Sequence, residues 1–79
     1  MTELVFPPLS TQRPDAGGVV TRWFVADGES VRAGQLVAEV QVDKVDAEVV
    51  APVGGVLRVL VPEDGTAQQG TAIGRVDEA

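Results

Sequence analysis

Apolar and polar residues alternate on both sides of a two-residue step in the middle of the chain. In residues 38–43 the even positions are alanine or valine and the odd positions are polar, whereas in residues 45–49 the odd positions are apolar. A period of two is typical of strands that bury one face. Two such runs that meet at Asp43-Lys44 predict a β-hairpin with this pair at its tip.

The same short period continues along the chain, and no stretch has the 3.6-residue period of an amphipathic helix. A first strand begins at Glu3, and Pro7-Pro8 ends it or confines it to a sheet edge. Residues 10–18 are predicted as a loop, and residues 31–34 as a short connection in which Gly34 supplies a bend or a left-handed conformation. The other predicted strands cover residues 19–25, 36–42, 45–50, 56–61 and 71–76.

An internal repeat relates the two halves of the chain. A shift of 37 positions places residues 18–28 on residues 55–65, and after a one-residue deletion a shift of 36 places residues 34–40 on residues 70–76. Two copies that each expose one apolar face bury those faces against each other, with Trp23 as the expected core anchor. The predicted fold is all-β: a single domain over residues 1–79, built as a flattened β-barrel or sandwich of two antiparallel sheets with pseudo-twofold symmetry.

The composition argues against several classes of function. The formal net charge of −6 disfavours binding to nucleic acid and to anionic membrane surfaces. The chain has no cysteine and no histidine, so it lacks a thiol nucleophile, the usual general base and the commonest metal ligands. We therefore expect no catalytic residues and no metal site. The sequence shows neither a signal peptide nor a membrane-spanning segment, which predicts a cytoplasmic protein.

Lys44 is the only lysine in the chain, and it stands where tight turns prefer asparagine, aspartate or glycine. A local rule broken inside an otherwise regular segment points to a functional site. An enzyme that acylates an amine would find a single unambiguous target here. The alternative is an ordinary solvated turn residue, as most exposed lysines are.

Residues 39–49, followed by Ala51-Pro52-Val53-Gly54-Gly55, resemble the signature of lipoyl domains, and the resemblance extends over residues 6–76. In that family the lysine of an Asp-Lys pair at a hairpin tip carries lipoic acid in amide linkage, which implies attachment at Lys44. Attachment would change the formal net charge from −6 to −7 and leave an acidic collar around a neutral dithiolane. The resemblance assigns recognition of the partner enzymes to Gln41, Val42, Asp43, Val45, Asp46, Glu48 and Gly34.

The resemblance implies a carrier without catalytic residues of its own, inside a parent dihydrolipoyl acyltransferase. Its lipoyl group would be acylated by a thiamine-dependent 2-oxo acid decarboxylase, deliver the acyl group at the acyltransferase core, and be reoxidised by dihydrolipoyl dehydrogenase. A lipoate ligase or lipoyl transferase would attach the group, and the isolated domain is expected to be a monomer. Residues 43–49 most resemble the branched-chain 2-oxo acid complexes, and the pyruvate and 2-oxoglutarate complexes remain open.

The sequence departs from the commonest family pattern in three places. Gln41 stands where many members have a glutamate that the lipoylating enzyme favours, which puts the efficiency of modification in question. The loop over residues 9–18 is longer than usual, and residues 66–69 form a shorter and more polar stretch that predicts a loosened turn.

A biotinyl carrier domain and an unmodified interaction module remain as alternatives, whereas a glycine-cleavage carrier does not fit the chain. A biotinyl domain shares the fold, but its lysine lies between two methionines, where this chain has Asp43 and Val45. A glycine-cleavage carrier would need a longer chain with helices. An unmodified β-sandwich could instead use its acidic hairpin to dock a partner protein.

Overall fold

Eight β-strands make up the part of the chain that the computed structural model describes, residues 1–8 and 17–78. No apolar helix of membrane-spanning length occurs in these residues. The strands are β1 (Thr2–Val5), β2 (Gly17–Trp23), β3 (Ser30–Val31), β4 (Leu36–Val42), β5 (Val45–Val50), β6 (Gly55–Val59), β7 (Thr66–Gln68) and β8 (Ala72–Asp77).

The strands form two antiparallel four-stranded sheets, in the orders β1-β8-β6-β3 and β5-β4-β2-β7. Each sheet turns one face inward, and the two inward faces make a single apolar core. This arrangement confirms the predicted all-β sandwich of two antiparallel sheets. The core consists of Leu4, Phe6, Val20, Val25, Val31, Val37, Ala38, Val40, Val42, Val49, Ala51, Leu57, Ile73 and Val76.

Phe6 is the largest fully buried side chain in the described residues. Trp23, which the sequence suggested as the core anchor, is only half-buried and packs against the edge of the core. Its indole Nε1 donates a hydrogen bond to the carbonyl oxygen of Val61 at 2.9 Å. The prediction that Trp23 anchors the core was wrong as to its burial. The indole N–H needs a hydrogen-bond acceptor, and the carbonyl of Val61 that accepts from it lies at the rim of the core.

Two short strands were missed by the sequence analysis. Ser30–Val31, of which Val31 was predicted to begin a connection, pairs with β6, and Thr66–Gln68, predicted as part of a loosened turn, pairs with β2. Both segments are too short to show a strand pattern of their own, and the neighbouring strand supplies the hydrogen bonds that make them strands. The pairing with β7 also begins β2 at Gly17, inside the predicted loop; residues 9–16 of that loop lie outside the described residues.

The predicted pseudo-twofold symmetry holds and includes more of the chain than the sequence repeat did. Gly34 N–H donates to the carbonyl of Ala51 at 2.7 Å, and in the other half Gly70 N–H donates to the carbonyl of Phe6 at 2.8 Å. Thus β1 and the residue after it are the equivalent of β5, although they precede the repeat detected in the sequence. By the same symmetry, the β4–β5 tip corresponds to the place where the chain begins and ends.

Candidate functional site

The β4–β5 hairpin is a regular ladder up to its tip. The residues of β4 and β5 pair in unbroken register from Ala38–Val49 to the closing pair Val42–Val45. The register of these two strands shifts once, between Leu36 and Ala38, far from the turn. A ladder without a bulge near its end holds the turn in a defined orientation. The predicted hairpin is therefore confirmed, with two residues in its turn.

Asp43 and Lys44 make the turn, and of these two residues Asp43 alone has a positive φ. Asp43 has a φ of 54°, a value that aspartate tolerates better than most residues. Lys44 is not among the residues with a positive φ in the described part of the chain. Lysine at the second position therefore needs no unusual backbone conformation, and its side chain is free to serve another purpose.

Lys44 is exposed, and neither a hydrogen bond nor an ion pair joins its side chain to any other residue in the described ranges. Its amine is thus available to an enzyme, on a turn that two paired strands support. No group of three or more aspartates and glutamates in the described residues is placed to hold a metal ion. The chemistry that the tip offers is that of a single accessible primary amine.

Acidic and polar side chains line the outer face of the hairpin below the tip. Gln41 lies directly across from Asp46, and Glu39 lies directly across from Glu48. Residues directly opposite each other in an antiparallel pair share one face of the sheet, so these four side chains form one surface. Asp46 and Glu48 are exposed and Gln41 is half-buried, which gives a partner access to all three.

The remaining predicted recognition residues differ in their positions. Asp43 and Val45 are exposed at the tip, whereas Val42 is 1% exposed and belongs to the core. Gly34 has the left-handed φ that the sequence predicted, at 83°, but it lies before the first residue of β4, at the end of that strand away from the tip. The seven residues of β4 span about 20 Å, so the structure does not bring Gly34 to Lys44.

A groove beside the tip was not anticipated from the sequence. It has a volume of about 390 Å³ and is lined by Gly17, Gly18, Val19, Gln41, Asp43 and Thr66. Gly17 leaves the outer surface of β2 without a side chain next to the hairpin, whereas the missing side chain of Gly18 faces the core. The Gly-Gly pair in the sequence is the signal that would have indicated a bare stretch of strand here.

Comparisons with known proteins agree with this architecture. The sequence model of a family described as "Biotin-requiring enzyme", the biotinyl and lipoyl attachment family, matches residues 10–76. The chain is 38% identical over 63 residues to the dihydrolipoyllysine-residue acetyltransferase component of the pyruvate dehydrogenase complex of Corynebacterium glutamicum. It is 35% identical over 79 residues to the dihydrolipoyllysine-residue succinyltransferase component of the 2-oxoglutarate dehydrogenase complex of Staphylococcus saprophyticus.

These alignments cover 78% and 99% of this chain but only 9% and 18% of the two relatives, so the chain spans a small part of their length. The solution structure of the lipoyl domain of the 2-oxoglutarate dehydrogenase complex from Azotobacter vinelandii superposes with a TM-score of 0.79. That pair of structures has 28% sequence identity, and the alignment covers 100% of this chain and 99% of the other.

The tip fits a lipoyl group in three respects. It presents one amine, the amine is exposed, and the turn that carries it ends an uninterrupted two-stranded ladder. The chain belongs to the biotinyl and lipoyl attachment family, as a lipoyl domain of the type found in 2-oxo acid dehydrogenase acyltransferases, and its cofactor is lipoic acid.

Proposed function

We propose that Lys44 is the residue to which lipoate is attached, and that the domain carries acyl groups and reducing equivalents between the active sites of a 2-oxo acid dehydrogenase complex. The observation that carries this proposal is the placement of the single lysine of the sequence, exposed at the apex of the β4–β5 hairpin. The family's cofactor requires one accessible amine, and the described residues offer no second lysine.

The protein contributes placement, and the cofactor contributes the chemistry. When bound, lipoate supplies a dithiolane whose disulfide accepts an acyl group together with two electrons. The paired strands hold the Cα of Lys44 in place, while the four carbons of its side chain leave the amine mobile. Tethering at a fixed point raises the effective concentration of the carrier at each active site to about the millimolar range.

The exposed acidic face of the hairpin is suited to recognition by enzymes with basic surfaces. Asp43, Asp46 and Glu48 lie around and below the tip, within the reach of any enzyme that takes Lys44 into its active site. Charges at the rim of an interface mainly raise association rates and select partners. The proposed partners are a lipoate ligase or lipoyl transferase, a thiamine-dependent decarboxylase, the acyltransferase core and dihydrolipoyl dehydrogenase, in the cytoplasm, with no catalytic residue contributed by this domain.

Intact mass spectrometry tests the attachment site. After expression with lipoate and a lipoylating enzyme, we expect one lipoyl-sized mass increment on the wild-type chain. The variant Lys44→Arg keeps the positive charge and the exposed turn but offers no amine to acylate, so we expect no mass increment on it. Its circular dichroism spectrum should match that of the wild type, which shows that the fold is intact. A biotin-sized increment would support a biotin carrier, and an unmodified wild-type chain would support a protein-interaction module.

The choice of 2-oxo acid is a separate part of the proposal. The residues around Lys44 favour a branched-chain complex, whereas the relatives described above are named for pyruvate and 2-oxoglutarate complexes. Reductive acylation of the lipoylated domain should be measured with the decarboxylase components of all three classes. The branched-chain assignment predicts the highest kcat/KM with a branched-chain decarboxylase, and a higher value with either of the others refutes it.

The pseudo-twofold symmetry provides a matched control for the acidic face. Glu48 on β5 corresponds to Glu3 on β1, and both carboxylates are exposed. Glu48→Gln should lower the rate of reductive acylation and weaken its dependence on ionic strength, because it removes a charge from the exposed acidic face of the hairpin. Glu3→Gln makes the same charge change far from the hairpin and should leave the rate unaltered; equal effects of the two variants would contradict recognition through this face.

A further inference from the structure

The two halves of the molecule differ in what lies beneath the last turn of the ladder. Phe6 is held at the start of β8 by two backbone hydrogen bonds, from its own N–H to the carbonyl of Thr71 at 2.9 Å and from Gly70 N–H to its carbonyl at 2.8 Å. Its side chain is 0% exposed. The symmetry-related position in the other half is Ala51, which has no ring.

The ring of Phe6 reaches from the β8 side of the sandwich to the tip end of the β4–β5 hairpin in the opposite sheet. A Cβ atom on Gly18 would lie 2.3 Å from Cζ of Phe6 and 2.8 Å from the carbonyl oxygen of Gln41. The end of the ring and the backbone of β4 therefore meet at the same point, and only the missing side chain of Gly18 makes room for both. Gln41 is two residues before the turn, so this contact lies directly under the tip.

The opposite end of the sandwich, where Gly55 on β6 approaches β8, shows the same approach of two backbones without a ring. There a Cβ atom on Gly55 would lie 2.4 Å from the carbonyl oxygen of Asp77 and 2.8 Å from Cγ1 of Val76, and no aromatic atom is among its nearest neighbours in the described residues. The close approach of backbone to backbone is thus a property of the fold in both halves. Among the described residues a buried ring fills this position under the end of the sandwich that carries Lys44 and not under the opposite end, although Phe6 itself follows β1 in the other half.

We infer that Phe6, seated in the space left by Gly18, is a positioning residue that fixes the orientation of the β4–β5 hairpin for the enzyme that modifies Lys44. This inference rests on the proposed attachment at Lys44. A core without voids holds its surface elements in one arrangement, and a gap under the hairpin would let the last ladder pairs move relative to the body of the domain. An enzyme that binds the hairpin in one orientation then finds only a fraction of the molecules competent.

The expected signature is a change in KM for the domain without a change in kcat. If the competent fraction falls to about a tenth, the apparent KM rises about tenfold, whereas saturating domain restores the full rate. A loss of stability alone leaves the KM of the molecules that remain folded unaltered. Lipoylation kinetics therefore distinguish positioning from ordinary core packing.

Phe6→Ala and Phe6→Leu should be compared with Leu57→Ala. Leu57 is also fully buried, but it lies across from Val76, towards the end of the sandwich where the chain begins and ends. All variants are assayed with a lipoylating enzyme at a temperature where circular dichroism shows them folded, and Phe6→Leu provides the measurement if Phe6→Ala does not fold. We expect an increase in KM of about tenfold for Phe6→Ala, a smaller increase for Phe6→Leu, and no increase for Leu57→Ala.

Amide hydrogen exchange of the unmodified proteins provides a readout that does not involve lipoate. In the Phe6 variants the amides of residues 40–47 should lose more protection than those of β6 and β8, and in Leu57→Ala they should not. A KM effect no larger than that of Leu57→Ala, or a loss of protection that is uniform over both sheets, overturns the inference. If wild type itself is not modified at Lys44, the proposed function fails, and the exchange pattern still decides whether Phe6 fixes the hairpin.

Discussion

Gly18→Ala should destabilise the domain strongly, although it adds a single methyl group to a strand. The new Cβ atom would lie 2.3 Å from Cζ of Phe6 and 2.8 Å from the carbonyl oxygen of Gln41. Real contacts of this kind do not occur, so the ring or the backbone of β4 has to move. Phe6 is fully buried, and two backbone hydrogen bonds hold its main chain in place. The Gln41 carbonyl belongs to a central strand of its sheet, so moving either group costs stability.

Overpacking of a well-filled core costs about 1–3 kcal/mol. For a domain of this size each kcal/mol changes the midpoint of thermal unfolding by about 4–8 °C, so Gly18→Ala should lower Tm by roughly 5–20 °C. Backbone strain adds nothing, because Gly18 does not have a left-handed φ. The whole effect is therefore steric, and it can be reversed by making space.

Gly17→Ala is the matched control, in the adjacent residue of the same strand. No atom of the described residues lies within 4 Å of the position that its Cβ would take. Alanine at a position it can occupy without strain stabilises by about 0.4–1 kcal/mol because it restricts the unfolded chain, so this variant should match or exceed the wild-type Tm. Both variants can be measured by differential scanning calorimetry, and equal Tm values for Gly17→Ala and Gly18→Ala would refute the steric reasoning.

A double variant tests whether the ring of Phe6 is the source of the clash. Phe6→Leu removes Cζ and the two Cε atoms, which vacates the place that the methyl group of Gly18→Ala would need. The combined loss of stability should be smaller than the sum of the two single losses by about 0.5–3 kcal/mol, the range for residues in contact. Additive losses would mean that the carbonyl of Gln41, and not the ring, determines the cost.

Three further predictions concern other parts of the fold. Trp23→Phe removes the hydrogen bond from Nε1 to the carbonyl of Val61 and should lower the unfolding free energy by about 1 kcal/mol in urea titration, whereas no change would mean that water replaces the bond. Asp64 has a φ of 68°, so Asp64→Ala should cost about 1 kcal/mol in the same assay, while Asp64→Gly should cost less; the reverse order would contradict backbone strain at this turn. The hydroxyl of Thr2, and secondarily the amino terminus, lower the pKa of the Glu78 carboxyl below its ordinary value of 4.5, and this contribution to stability is present above that pH and lost as the pH falls through the lowered pKa. The Tm difference between wild type and Glu78→Gln should therefore shrink on acidification below pH 4.5, and a constant difference would contradict the ionic contact.

The hairpin and its lysine could be predicted from the sequence because their determinants are local. A period of two on either side of Asp43-Lys44 identifies the strands, and an aspartate at a position of positive φ fits the turn that was found. The strands β3 and β7 could not be predicted, because three or fewer residues carry too little pattern and become strands only through pairing with β6 and β2. The role suggested for Phe6 depends on a contact with Gly18 across the two sheets, which no local pattern contains.

The two ends of the sandwich, which the pseudo-twofold symmetry relates, differ in how their strands are connected. Each half builds the same ladder, but in one half the chain passes continuously from β4 through Lys44 to β5, whereas the equivalent place in the other half is where β8 ends and β1 begins. A two-residue turn links the ends of its two strands covalently, so the positions of its residues do not depend on other contacts. The two chain ends have no such link and are joined by weak exposed contacts of Glu78 with the amino terminus and with the hydroxyl of Thr2. At the β4–β5 end a covalent turn and a strand ladder together hold the residue that carries the amine, and the buried ring of Phe6 lies under that end.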